Sequence, residues 1–268
     1  MIEPRGPSPA PLLRIAGLTK AFRGLKAVDS IDLALAPGSV HGLIGPNGAG
    51  KTTLFNLVSG VLAPDAGSIA LAGASIDGLS TYRRTAFGLA RTFQNIRLFP
   101  AGTALENVLT GMHDRLRSPV PSILLRLPAF RAEERRAREE AEALLDLVGL
   151  AGSARRRAGD LPYGDQRRLE IARALASRPK LLLLDEPAAG MNAVETASLA
   201  PLLRRLVAER AISLLLVEHD MKFVMSLCDR ITVMNFGRKI AEGTPREVRE
   251  HPDVVAAYLG SKHAGDAR

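Results

Sequence analysis

The chain has 268 residues and a hydrophobic fraction of 46%, enough for one large domain with a substantial buried core, and its net charge of +8 favours anionic company. A single cysteine, Cys228, excludes an intramolecular disulfide, and no pair among the five histidines has metal-ligand spacing such as HxxxH. Lacking Trp and with only 4% aromatic residues, the chain offers little base-stacking surface, so nucleic acid is not expected as a partner.

Residues 1–11 are rich in proline and read as a disordered leader with no signal-peptide core, and structure is expected to begin near Leu12. The longest apolar runs, Leu181 to Leu184 and Leu214 to Val217, are far shorter than the roughly 20 residues that cross a bilayer. Short apolar runs recur along the chain as SVHGLIG, SIALAG, KLLLLDEP, ISLLLVEHD and RITVMNFG, which predicts strands buried on both faces within an α/β fold. Thr103 with Glu106 and Thr244 with Glu247 match the capping box and predict helix starts. Between them, Arg115 to Gly152 has few strand signals and ends in the periodic AEALLDLVGL, which predicts a helical subdomain.

Gly45, Pro46, Asn47, Gly48, Ala49, Gly50, Lys51 and Thr52 fit GxxxxGK[ST], with a strand-like run before them and a helix-like run, beginning Thr52-Thr53, after them. The glycines let backbone N–H groups converge on phosphate oxygens at a helix N-terminus. Lys51 is placed to neutralise the outer phosphates and Thr52 to bind Mg²⁺. A chance match in a chain of this length has a probability of about 1%. A second element agrees with it: Leu181 to Leu184 is an apolar run ending in Asp185 and Glu186, the first suited to holding Mg²⁺ through water and the second to orienting or deprotonating an attacking water.

With GPNGAGKTT, LPYGDQRRLEIARAL, LLLLDEP and LLLVEHD in this order, the chain resembles an ABC ATPase nucleotide-binding domain from about Leu12 to Gly260. YGDQRRLEIAR, DEPAAGMN, EHDMKFVM and the ending GTPREVREHPDVVAAYLG narrow the resemblance to the ATP-binding subunit of branched-chain amino-acid ABC importers. The resemblance implies a P-loop NTPase fold with a RecA-like core, an antiparallel β subdomain and a helical subdomain at about 98–178, followed by a flexible tail at 261–268. It implies that Phe22 stacks on adenine, with core filling as the alternative. Gln94 then touches Mg²⁺ and water, His219 contacts the γ-phosphate, and Tyr163, Gly164 and Asp165 of the signature segment face the ATP of a second subunit. Glu218 receives no role, while Asp220 is suited to capping the helix that follows.

Two positions depart from the family pattern. Asn192 stands where most relatives have Asp, and Pro162 where the signature usually has serine. Proline offers neither a hydroxyl nor an N–H, so one phosphate contact is lost, but it suits the first turn of a helix.

The resemblance implies ATP and Mg²⁺ as cofactors. Its partners would be transmembrane permease subunits, a second ATP-binding subunit identical or related to this one, and a periplasmic solute-binding protein reached through the permease. The expected location is the cytoplasmic face of the inner membrane. The expected activity is ATP hydrolysis driving uptake of branched-chain or related amino acids, with urea or other small polar or aromatic solutes as the alternative cargo. A soluble ABC ATPase acting on nucleic acid or ribosomes is disfavoured by the single phosphate loop and the lack of sustained heptads. Arg131 to Glu142 alternates charges at helical spacing and reads as a solvated helix. Arg115 to Phe130 carries Arg115, Arg117 and Arg126 among apolar residues; it either packs within the helical subdomain or lies against the membrane or its subunit.

Overall fold

A computed structural model describes residues 10–116, 119, 122, 124 and 127–265. Two sheets organise it. The first is antiparallel, in the order β2-β1-β4-β5, from β1 (Leu13–Phe22), β2 (Leu25–Leu35), β4 (Ala66–Leu71) and β5 (Ala74–Ser75). The second has six strands in the order β10-β9-β3-β8-β7-β6. In it β9 (Arg230–Asn235), β3 (Val40–Ile44), β8 (Ser213–Val217), β7 (Leu181–Asp185) and β6 (Leu89–Arg91) run parallel, and β10 (Arg238–Gly243) closes one edge antiparallel.

The central strands are continuously apolar because they feed two cores. Leu182 and Leu184 of β7 join an apolar cluster with the helices on one face, while Leu181 and Leu183 pack on the other face with β1, β2, β4 and helix α1 (Lys51–Ser59). The SIALAG run corrects the expectation that every apolar run is covered on both sides. It forms β4 of the antiparallel sheet, where only Ile69 and Leu71 are buried, because its apolar residues follow the period of two that a one-sided sheet requires.

After α2 (Thr81–Ala86) and β6, the chain forms α3 (Ala104–Thr110), α4 (Pro128–Leu147) and α5 (Tyr163–Leu175), which pack on one another. They share one apolar cluster with the parallel sheet through Val108, Leu144, Leu169 and Leu182, so the helical part has no separate core. The remaining helices are α6 (Ala193–Arg210), α7 (Met221–Leu227), α8 (Pro245–Glu250) and α9 (Pro252–Gly265). Both expected capping boxes form, at Thr103 and Thr244, and Asp220 accepts from the N–H groups of Lys222 and Phe223. Helix α9 continues past residue 261, where the sequence predicts the start of a flexible tail. Among the described residues no helix is long and apolar enough to cross a membrane.

Candidate functional site

The parallel strands deliver the site at their C-terminal ends. β3 leads into the Gly45–Gly50 loop and then α1, whose N-terminus has no capping side chain and no acidic residue in its first turn. That end therefore presents unpaired N–H groups and the positive pole of the helix, which is what a phosphate requires. Gly45 and Gly50 have φ of 151° and 100°, and a Cβ at either would collide with the carbonyl of Met234 or Ala27, so the loop is held close against β9 and β2 by residues only glycine can supply. The buried Lys51 ammonium donates to the carbonyls of Gly45 at 2.6 Å and Pro46 at 2.9 Å. Burial lowers its pKa, so an anion in the loop would be welcome compensation. Thr52 is exposed at the mouth of the loop and Thr53 is half-buried.

Glu186 follows β7 with φ of 49°, left-handed backbone that a side-chain-bearing residue rarely adopts, and its N–H donates to the Val217 carbonyl. The twist aims its carboxylate at two other expected site residues. Gln94 Nε2 donates to Glu186 Oε2 at 3.0 Å, and His219 Nε2 lies 2.7 Å from Glu186 Oε1. Gln94, Glu186 and His219, spread over 125 positions of the sequence, thus meet at one carboxylate.

Asp185 is buried and paired through Oδ2 with Arg91 Nη2 at 2.8 Å. Arg91 also donates to Asn56 Oδ1 and Ser59 Oγ, tying β7 to α1. Asp185 Oδ1 carries no protein hydrogen bond among the described residues, so one oxygen remains for a metal-bound water. The Thr52 hydroxyl, Gln94 and Asp185 are all oxygen donors, the chemistry suited to Mg²⁺, which keeps several of its own waters.

Phe22 sits at the tip of the β1–β2 hairpin and is 44% exposed, with Lys20 Nζ 5.8 Å from the ring centroid; it does not fill the core. Pro162 takes the N-cap position of α5, one residue before the first turn where it was expected. Its carbonyl accepts the first helical hydrogen bond, from Gln166, so Tyr163, Gly164 and Asp165 are the residues whose N–H groups open the helix. Asn192 caps α6: its Oδ1 accepts from Val194 and Glu195 N–H, and the Glu195 carboxylate accepts from Asn192 N–H. These two helix starts touch, Gly164 against Glu195 and Tyr163 against Gly190.

Several residues escaped the sequence reading. Glu218 is buried, and its carboxylate accepts from Ala188 N–H at 2.7 Å and His219 N–H at 3.0 Å, binding the loop after Glu186 to His219. Burial raises its pKa. Tyr258 of α9 hydrogen-bonds the backbone of Gly45, which brings the C-terminal helix to the phosphate loop. Glu140, within the stretch expected to be a solvated helix, pairs with Arg115 and Arg178. Arg115 also donates to the Ala176 carbonyl, so it is engaged inside the helical part; Arg117 and Arg126 lie outside the described residues.

Residues 28–189 match the family model described as ABC transporter, and residues 238–264 match that described as branched-chain amino acid ATP-binding cassette transporter. The chain is similar to the high-affinity branched-chain amino acid transport ATP-binding protein BraF of Pseudomonas aeruginosa. The two are 48% identical over 250 residues, covering 93% of this chain and 98% of that protein. LivG of Escherichia coli K12, of the same description, is 46% identical over 250 residues with the same coverage. Among solved structures, the ADP conformation of MJ1267, an ATP-binding cassette of an ABC transporter, superposes with a TM-score of 0.81 at 33% identity, covering 93% of this chain and 99% of that one.

Proposed function

The chain belongs to the ABC transporter family of ATP-binding cassettes, and from that membership we propose that it is the ATP-hydrolysing subunit of an importer for branched-chain or related amino acids. As a family member it is an ATPase. The observation that carries the cargo class is similarity over nearly the whole length of BraF and LivG, reinforced by the branched-chain family match at residues 238–264.

In this reading the Gly45–Thr53 segment cradles the phosphates of ATP, and Phe22 meets the adenine. Lys51 neutralises charge on the outer phosphates. Thr52, Gln94 and Asp185 would hold Mg²⁺, which would supply further neutralisation of phosphate charge. Glu186 orients the attacking water and accepts its proton, and Gln94 and His219 fix the carboxylate for that task. Two subunits close head to tail, so that the Tyr163–Asp165 helix start of one faces the ATP of the other, and hydrolysis reopens them. The partners are membrane permease subunits and a second ATP-binding subunit, with a periplasmic binding protein beyond them, at the cytoplasmic face of the inner membrane.

The test is recovery of the tagged chain from native membranes, followed by reconstitution with what accompanies it. Permease subunits should copurify, and leucine, isoleucine or valine delivered by the binding protein should raise ATP turnover. Stimulation by urea or aromatic solutes alone would overturn the cargo, and recovery of ribosomes or RNA in place of permeases would overturn the transport reading.

A further inference from the structure

Arg167 and Glu170 have no part in the chemistry above, yet their side chains are 0% and 1% exposed, the most enclosed ion pair among the described residues. Arg167 Nη1 donates to Glu170 Oε2 at 2.9 Å and to the Phe93 carbonyl at 2.8 Å; Nη2 donates to the Gln94 carbonyl at 2.8 Å and to the Tyr163 hydroxyl at 3.4 Å. The guanidinium carbon lies 5.9 Å from the Tyr163 ring centroid. Glu170 Oε1 in turn accepts from Phe93 N–H at 3.3 Å. One planar group therefore holds the backbone of the Gln94 loop on one side and the signature tyrosine on the other. Tyr163 also covers Gly190, in the loop that follows Glu186.

Stability is a weak reason for such a pair. Removing two charges from water costs about as much as their attraction returns, and Arg167 Nε is buried with no partner at all. What the pair does supply is direction. A guanidinium presents its N–H groups in a rigid fork, so the Gln94 carbonyl cannot shift without either losing its hydrogen bond or carrying α5 with it.

We infer that Arg167 is a positioning residue that makes the Gln94 loop and the Tyr163 signature move as one body, so that nucleotide in a protomer's own phosphate loop sets the signature that protomer offers to its partner. The inference rests on the paired-subunit reading above. It predicts that coupling between the paired ATP sites passes through this guanidinium. Glu170 serves by holding the guanidinium in place and by taking the Phe93 N–H.

The experiment compares the purified full chain with Arg167→Lys and with the double variant Arg167→Met, Glu170→Leu. Arg167→Lys keeps the charge but not the fork; the double variant removes the buried pair without leaving one charge alone. Fluorescent-nucleotide binding at dilution reads each protomer's own site, and steady-state hydrolysis reads kcat, KM and the Hill coefficient. Nucleotide affinity should match the parent, while kcat falls at least about fivefold and the Hill coefficient drops to 1. A folded variant with parental kcat and Hill coefficient overturns the inference. So does a loss of nucleotide affinity that accounts for the whole fall in rate, since Arg167 would then merely support its own phosphate site. If the double variant does not fold, Arg167→Lys decides alone. A parent without cooperative hydrolysis would overturn the paired-subunit reading first and this inference with it, whereas a cooperative parent with cooperative variants overturns only this inference.

Discussion

Restoring serine at Pro162 separates what the position does for the helix from what it does for ATP. Pro162 has φ of −53° and ψ of 152°, extended backbone that serine adopts without strain, and it provides no side-chain cap for α5. A serine hydroxyl at this position could accept from the N–H of Gly164 or Asp165, a cap that contributes about 1 kcal/mol. Loss of the proline ring frees the unfolded chain and costs about 0.4–1 kcal/mol. The two nearly cancel, so Pro162→Ser should melt close to the parent. The same hydroxyl keeps its proton for a phosphate oxygen across the subunit interface, because a hydroxyl donates one bond while accepting others. A hydrogen bond to a charged group contributes about 1.5–3 kcal/mol, which is about 10- to 150-fold in affinity for each composite site. Sedimentation of Pro162→Ser in a Glu186→Gln background, with Mg-ATP, should therefore show tighter association with little change in melting temperature. Unchanged association would refute the reasoning, because it would mean that the signature position lies out of reach of the phosphate.

Glu186→Gln alone should lower phosphate release by about 10²- to 10⁴-fold while ATP binding persists, and parental turnover would remove Glu186 from the role of base. Arg91→Met leaves the buried Asp185 carboxylate unpaired and should destabilise the fold by about 3–5 kcal/mol in denaturant titration; adding Asp185→Asn should recover most of that loss. Burial works against ionisation of Glu140, but the hydrogen bonds from Arg115 and Arg178 outweigh it and hold the carboxyl at about 2, below its ordinary 4.5. A depressed folded pKa contributes stability above the ordinary value that is lost as pH falls, so the melting advantage of the parent over Glu140→Gln should be full above about pH 4.5 and vanish as pH falls through about 2.

The chemistry legible in the sequence was carried by contiguous residues. GPNGAGKT, LLLLDEP and LLLVEHD each place their functional groups where a strand ends, so reading the strand also placed the group. Residues that act across the fold left no such trace. Arg91 meets Asp185 across 94 positions, Arg167 meets Phe93 across 74, and Glu218 meets Ala188 across 30. An arginine or glutamate is solvated by default, and only its intrusion into an apolar stretch, as Arg91 does in FGLARTF and Glu218 does after LLLV, marks it as enclosed. The SIALAG run was misplaced for a different reason. Ile69 and Leu71 alternate with the small Ala70 and Ala72, a period of two in side-chain size alone, and an unbroken apolar run does not by itself distinguish a one-sided strand from a two-sided one.

The two departures from the family pattern prove to be neighbours. Asn192 opens α6 and draws Glu195 back into its capping box, and that carboxylate then lies against Gly164, two residues after Pro162. A Cβ on Gly164 would stand 2.6 Å from Glu195 Oε1, and Glu195 cannot simply swing away without abandoning the Asn192 N–H that its other oxygen holds at 2.9 Å. Glycine at 164 is thus favoured by packing within one protomer, apart from any approach of phosphate to its N–H. The sign of one measurement separates these requirements. In a helix, alanine is ordinarily more stabilising than glycine by about 0.5–1 kcal/mol. If Gly164 served only the phosphate, Gly164→Ala without nucleotide would melt higher than the parent. Forcing a methyl group against the held Glu195 side chain costs about 1–3 kcal/mol, at least as much as the helix gains, and should bring the melting temperature down instead. A nucleotide-free Gly164→Ala chain that melts above the parent would show that the two helix starts are independent, and that Asn192 constrains only its own helix.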